Sequence, residues 1–280
     1  MNEPAFETIL YATDGPRATI TLNRPEELNT IVPPMPDEVE AAVTLAVRDP
    51  EVKVIVVRGA GRAFCAGYNF GEGFLGWEEL INTDGAWDPG KDFVGATAPA
   101  LAPTQKFMSV WRSPKPVIAQ VHGLCVGGGS DFALCADLVI ASDDAQIGTP
   151  YSRMWGAYLS GMWIYRLGLT RTKYYALTGR SLSGREAVEA GLINQAFENM
   201  GLASTQTLGP ILDGLMRNTP DAKRFIELAE QEGVPAVVAQ RDGPFGDYSQ
   251  APPEEKPDPS HVIEVPVEEG GVHPEDEGER

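Results

Sequence analysis

Histidine and cysteine are scarce in this 280-residue chain, with three of each. Cys65, Cys125 and Cys135 form no CxxC pair and are odd in number, which argues against a disulfide framework and against a zinc site. Buried free thiols are the expected state. Two of the histidines, His261 and His273, fall near the C-terminus, so neither a Ser-His-Asp triad nor a histidine-rich metal centre is easily built, and no metal is expected. His122 reads as a satisfied histidine at a strand end. Clustered basic residues are missing as well: 22 Lys and Arg against 40 Asp and Glu give a net charge of −18, which excludes a nucleic-acid partner. No apolar run approaches about 18 residues, and the N-terminal MNEPAFETILYATDG carries early acids in place of a basic segment and an apolar block. Neither a membrane span nor a leader is expected, and the reading is a cytoplasmic protein.

What is present is enough apolar material, 42% of the residues with 8% aromatic, to fill a sizeable core. The negative charge is concentrated. Residues 251–280 hold ten acids, two bases and six prolines, a net of −8 that leaves −10 for the body. APPEEKPDPS is too polar and too proline-rich to pack, so 251–280 reads as an extended or disordered tail in which only VIEVPV, 262–267, is apolar enough to lie on a neighbour.

Before Arg112, β-rich runs alternate with helical periodicity: ATITLN at 18–23, a periodic segment at 37–47, and VKVIVVRG at 52–59. PVIAQVHG at 116–123 and DLVIAS at 137–142 are two further strands, and strands alternating with helices imply an α/β fold. The second half turns helical through SGMWIYRLG, TRTKYYALTG and SGREAVEAGLI, the last opening with Ser183 and Glu186 at capping-box spacing. Residues 71–103 fit neither pattern. They are rich in Gly, Pro and aromatics, and Phe74, Trp77, Trp87 and Phe93 predict an ordered loop that either walls a pocket or covers the core.

The stretch HGLCVGGGSDFALC at 122–135 places three glycines directly before an apolar helical run. Glycine costs about 1 kcal/mol against alanine inside a helix. Two readings are open. The run is a tight strand-to-helix turn, or something approaches the backbone closely, as an anion does at the unpaired N–H groups of a helix start. A dinucleotide fingerprint is excluded, because CVGGGSD lacks the GxGxxG spacing.

Three separated pieces, GAGRAFCAGYNF at 59–70, QVHGLCVGGGSDFALCADLVIAS at 120–142 and AQIGTPYSRM at 145–154, occur in an order and spacing that resemble the enoyl-CoA hydratase/isomerase family, the crotonase superfamily. LNRPEELN at 22–29 and TGRSLSGREAVEAGLINQAF at 178–197 are similar to the same family. The resemblance implies an α/β fold with a spiral core of ββα units over residues 1–200. It further implies a helical C-terminal trimerisation region over 201–250, and a homo-trimer or dimer of trimers. The implied activity is that of a lyase or isomerase acting on an acyl-CoA thioester, with coenzyme A as part of the substrate and no separate cofactor. Other crotonase-type reactions, thioester hydrolysis, decarboxylation or C–C cleavage, and a non-catalytic acyl-CoA binder are the alternatives.

Two backbone N–H groups hold the thioester oxygen in such enzymes, and the resemblance places them on Tyr68 and Gly128, with the helix dipole behind them. The first of the two glutamates of a hydratase falls on Asp131, the second on Tyr151. A phenol is a poor base at neutral pH, so Tyr151 is a hydrogen-bond donor or pocket wall, and Asp131 is the acid/base candidate or else a helix N-terminal acid. Arg153, Trp155, Tyr158 and Ser160 lie where alternative groups occur, with Trp155 and Tyr158 counted among the pocket residues beside Phe74, Trp77 and Trp87. Coenzyme A is expected at the backbone of Glu27, Leu28 and Asn29 and at Cys65, Ala66 and Gly67. Arg24 is a phosphate contact or a surface charge at a strand end. Asp143 and Asp144 belong to a surface turn.

Overall fold

The computed structural model describes residues 6–69, 77–98, 102–150 and 161–198, all within one unit that spans Met1–Pro220. Its frame is a sheet built from the front of the chain. Strand β1 (Ile9–Asp14) turns at Gly15 and returns antiparallel as β2 (Arg17–Leu22). After a 3-10 turn at Pro25–Glu27, helix α1 (Pro34–Arg48) crosses over to β3 (Val54–Gly59), parallel to β2. The helix buries Met35, Val39, Ala42, Val43 and Ala46, the spacing of one apolar stripe. The Lys115 ammonium caps its far end by donating to the Ala46 and Asp49 carbonyls.

Residues 71–103 were expected to be one loop, and the described part of them is folded more regularly than that. Helix α2 (Glu78–Ile81) leads into a two-stranded hairpin, β4 (Asn82–Thr83) and β5 (Ala86–Trp87), followed by α3 (Pro89–Thr97). The signal for the hairpin was Asp84-Gly85, whose positive φ values of 53° and 79° are those a two-residue turn requires. Asp88 then starts α3: its carboxylate accepts from the Gly90 and Lys91 amides at 2.9 and 3.1 Å, with Pro89 at the first helical position. Periodicity is invisible in elements of two to nine residues, which is why the pattern read as a loop.

Helix α4 (Pro103–Trp111) and strand β6 (Val117–Val121) come next, then β7 (Leu124–Val126), α5 (Gly128–Ala133), β8 (Leu138–Ser142) and β9 (Gln146–Gly148). The main sheet has the order β1-β2-β3-β6-β8-β10, closed by β10 (Gln195–Phe197), and every pairing except β1·β2 is parallel. β7 and β9 pair parallel in a second small sheet. Strand β6 is buried at all five residues and β3 at its first four, as parallel strands covered on both faces are. One face carries the large core with Phe64, Phe107, Phe132 and Trp163; Val54, Val56, Ile118 and Ile140 cluster on the other.

The span α6 (Gly161–Thr178) is two helices in succession, in keeping with the two helical runs of the sequence, with a kink between them at Gly168, whose φ of 73° and ψ of 165° are not helical. Helix α7 (Gly184–Ala190) starts with the expected capping box, Ser183 and Glu186 each serving the other's amide, and ends on Gly191 at φ 80°. All three cysteines are buried free thiols. No helix among the described residues is long and apolar enough to cross a membrane. The helical region expected at 201–250 and the tail at 251–280 lie outside the described residues.

Candidate active site

The site is assembled by the segment after β3. Its Phe64 and Cys65 amides donate to His122 and Leu124 oxygens at 2.8 and 3.0 Å, and the Cys65 carbonyl accepts from Val126 at 3.1 Å. Cys65 and Cys125 form a parallel bridge. On its other side the same segment is held by the loop after β2, where Ala66 donates to Leu28 (3.0 Å), Ile31 to Gly67 (2.8 Å) and Asn69 to Ile31 (2.9 Å). Since Gly67 and Asn69 use the groups that face Ile31, the parallel ladder turns the Tyr68 amide to the opposite edge.

That edge meets the glycine run. A Cβ on Gly67 would lie 3.0 Å from the Val126 oxygen and 3.7 Å from the Gly128 nitrogen; one on Gly128 would lie 2.5 Å from Tyr68 Cε2; one on Gly129 would lie 2.3 Å from the Cys65 oxygen. The three glycines therefore admit another part of this chain, residues 65–68, to near contact. Both sequence readings meet here, because Gly127 (φ 55°, ψ −130°) is also the sharp turn into α5, a conformation that side chains rarely adopt. At six residues, α5 has less than two turns, so a long-helix dipole behind the glycines is not part of the arrangement.

The start of α5 is fixed from within. Ser130 and Asp131 donate their amides to the Gly127 carbonyl at 2.9 and 3.1 Å. The Ser130 hydroxyl donates to the same carbonyl at 2.8 Å and accepts the indole N–H of Trp163, from α6, at 3.0 Å. Ser130 and Trp163 carry this anchoring and were not singled out from the sequence; a serine directly after a glycine run, at a position with no exposed face, was the available hint. Asp131 is 8% exposed. Its charge bears on its neighbours: burial raises the Tyr68 phenol far above its ordinary range and Asp131 raises it further, and Cys135, chiefly through burial and then Asp131, is pushed up to about 12. Trp77 is 8% exposed and packs edge-on to Tyr68 at 5.8 Å.

Tyr68, Gly128, Asp131 and Trp77 thus come together. Trp87 does not join them by any contact described: 62% exposed, it donates its indole N–H to Asp92 at 3.0 Å within the hairpin arm. Phe93, at 70% exposed, faces outward as well. Phe74, Tyr151, Arg153, Trp155, Tyr158 and Ser160 lie outside the described residues.

Among the residues expected at coenzyme A, Cys65 is fully buried and its N–H and C=O are both bonded to β7. The Ala66 amide and the Gly67 carbonyl are likewise bonded to the 28–31 loop. Arg24 is tied to Glu27, which also accepts from the Asn69 amide group at 2.9 Å. Asn29 organises this loop: its side chain accepts from the Arg24 N–H and donates to the Ala60 and Ala63 carbonyls, each at 2.8 Å. His122 is satisfied by the Gly61 carbonyl at 2.9 Å, and Asp143 pairs with Arg185. A separate cavity of about 810 Å³ lies at the carboxyl ends of β2, β3, β6 and β8, lined by Arg58, Gln120, His122 and Ser142 among others, and none of Tyr68, Gly128 and Asp131 borders it.

A parallel-dominated sheet whose crossovers bring a CAGY segment against a glycine-started helix defines the crotonase class of fold. The chain belongs to the enoyl-CoA hydratase/isomerase family, whose sequence profile matches residues 17–231. It is 33% identical over 208 residues to the mevalonyl-coenzyme A hydratase of Aspergillus fumigatus, covering 73% of this chain and 71% of that protein. It is 32% identical over 204 residues to the 1,2-epoxyphenylacetyl-CoA isomerase of Escherichia coli, covering 71% and 73%. The crystal structure of an enoyl-CoA hydratase from Mycobacterium smegmatis superimposes with a TM-score of 0.61 at 34% identity, over 87% of this chain and 96% of that one.

Proposed function

We propose that this chain is an enzyme of acyl-CoA thioesters that hydrates or isomerises an enoyl group through a thioester enolate. The observation that supports it most directly is the near contact of Gly67 with the Gly128 main chain, and of the Tyr68 ring with Gly128, one helical turn from a buried carboxylate. In this reading the Tyr68 and Gly128 amides receive the thioester oxygen as it gains charge, each such donor worth on the order of 3 kcal/mol in the transition state. Asp131 moves the proton. The loop at Leu28, which Asn29 holds from within, and the Ala66–Gly67 backbone form the coenzyme A side. A bulky or ring-bearing acyl group remains part of this reading, with Trp77, packed edge-on to Tyr68, as the aromatic residue placed beside the site. The Escherichia coli relative is named for an epoxyphenylacetyl thioester.

The test measures turnover of crotonyl-CoA beside ring-bearing and branched enoyl thioesters, with thioester binding measured by calorimetry. Asp131→Asn is expected to lower kcat/KM by about 100-fold or more while binding persists. Turnover that survives this variant within about threefold would remove Asp131 from the mechanism, and binding without turnover of any thioester would favour the acyl-CoA-binding alternative. The same reading assembles the chain as a trimer or a dimer of trimers. In support, the two helices of α6 leave Ile164, Tyr165, Leu169, Tyr174 and Leu177 exposed, apolar surface of the kind that marks a protein–protein contact. A monomer in sedimentation at micromolar concentration would refute it.

A further inference from the structure

In the thioester reading Tyr68 contributes its amide alone, and its side chain has no part. A residue whose main chain receives a thioester oxygen needs no ring there, and a large one has to be accommodated. The fold accommodates it at a definite cost: the Tyr68 ring lies so close over Gly128 that a single added carbon there would be 2.5 Å from Cε2 and 2.8 Å from Cδ2, while Ile31 closes the same spot at 2.9 Å. Trp77 supports the ring edge-on from the other side, at 5.8 Å and an interplanar angle of 80°. The ring is therefore held at the start of α5, three residues before Asp131, instead of turning out to solvent.

We propose, resting on the thioester reading, that the Tyr68 phenol is the acid that works opposite the Asp131 base, so that one residue supplies both an oxyanion donor and a proton donor. In the hydration direction Asp131 takes a proton from water as the water oxygen bonds to the β-carbon. The Cα=Cβ electron pair moves into the thioester, whose oxygen becomes the enolate held by the two amides. As the enolate collapses to the carbonyl, its carbon–carbon electron pair takes the phenolic proton at Cα. The phenolate left behind recovers a proton from the Asp131 carboxylic acid, which returns both groups to their starting states. Water and the enoyl thioester are the only species consumed.

Electrostatics suits this order of events. Burial and the Asp131 charge keep the phenol protonated at rest, which is the state an acid must be in. Burial, the larger cause of the rise, persists throughout, but once Asp131 has accepted a proton its charge no longer adds to it, and the acid strengthens by that share at the step that needs it. A carboxylate in place of the phenol would repel Asp131 and could not stay protonated as readily.

The experiment uses the full chain with Tyr68→Phe, which keeps the ring against Gly128 and Trp77, keeps the amide and removes only the hydroxyl. An unchanged thermal midpoint checks folding. Expected are thioester binding within about threefold of the unchanged chain and a kcat/KM lower by about 100-fold, together with loss of deuterium exchange at Cα of a saturated acyl-CoA in heavy water. Tyr68→Phe combined with Asp131→Asn should lose little beyond the worse single variant, since groups that act as a unit are not additive. Turnover and exchange of Tyr68→Phe within about twofold of the unchanged chain would overturn the proposal and leave the thioester reading intact, as would fully multiplicative losses in the double variant. If the unchanged chain neither binds nor turns over an acyl-CoA, the thioester reading itself is wrong and the proposal falls with it.

Discussion

Replacing Gly129 by alanine isolates the packing that builds the site. An added Cβ would stand 2.3 Å from the Cys65 carbonyl oxygen and 2.8 Å from Cys65 Cβ, where ordinary contact begins at 3.4 Å, so α5 and the Cys65 segment must separate by about 1 Å. The segment cannot simply drift, because the Cys65 amide is bonded to Leu124 and its carbonyl to Val126. Stretching those two hydrogen bonds costs about 1 kcal/mol each, and overpacking adds roughly 1–3 kcal/mol. The better helix propensity of alanine returns at most about 1 kcal/mol. The net is a loss of about 3 kcal/mol, which for a domain of this size lowers Tm by roughly 6–12 °C. Differential scanning calorimetry or urea unfolding reads it directly. Gly90→Ala in α3 is the control: its Cβ would meet only Asp88 Oδ1, at 3.2 Å, and a change within about 1 °C is expected. A Gly129→Ala protein melting within about 1 °C of the unchanged chain would refute the close approach of residues 65–68 to α5.

Asn29→Ala should destabilise by about 3 kcal/mol in urea unfolding, since it removes three hydrogen bonds, leaves the buried Ala63 carbonyl without its donor, and gives up an asparagine at φ 54°, where alanine is strained; equal midpoints would refute it. The thiols give a pH dependence: burial pushes Cys65 and Cys135 from 9.0 up to about 12. The unfolded chain therefore releases these protons from about pH 9 while the folded chain holds them to about 12. Because the folded values are the raised ones, this contribution to stability is intact below pH 9 and is lost as pH rises from 9 to 12. Thiol titration with a disulfide reagent at pH 8 should find none of the three reactive until denaturant is added, and a fast-reacting thiol in the native protein would contradict the burial.

Much of this protein is local and so could be read from the chain itself. The apolar strands at 18–23, 52–59, 116–123 and 137–142, the periodic α1 and the Ser183–Glu186 capping box depend on neighbours a few residues apart, and each lies within three residues of its expected place. The order of CAGY, GGGSD and the segments around them was enough to indicate the family. Short elements escaped: two-residue strands and a nine-residue helix in the arm after Trp77 have no period to detect, though Asp84-Gly85 and the Asp88-Pro89 start were written there. The family resemblance grouped Tyr68, Gly128 and Asp131; what only the tertiary structure decided is how those distant groups touch. Tyr68 and Gly128 are sixty residues apart, and nothing local to either records that the ring of one lies on the backbone of the other, or that burial, with the Asp131 charge added, raises the phenol. Cys65 is a second case. Its motif placed it at coenzyme A, and only the assembled sheet shows that long-range pairing with β7 uses both of its backbone groups. Strand pairing and burial are properties of the assembled sheet, set by which segments the crossovers bring side by side, and a residue's chemistry depends on that company.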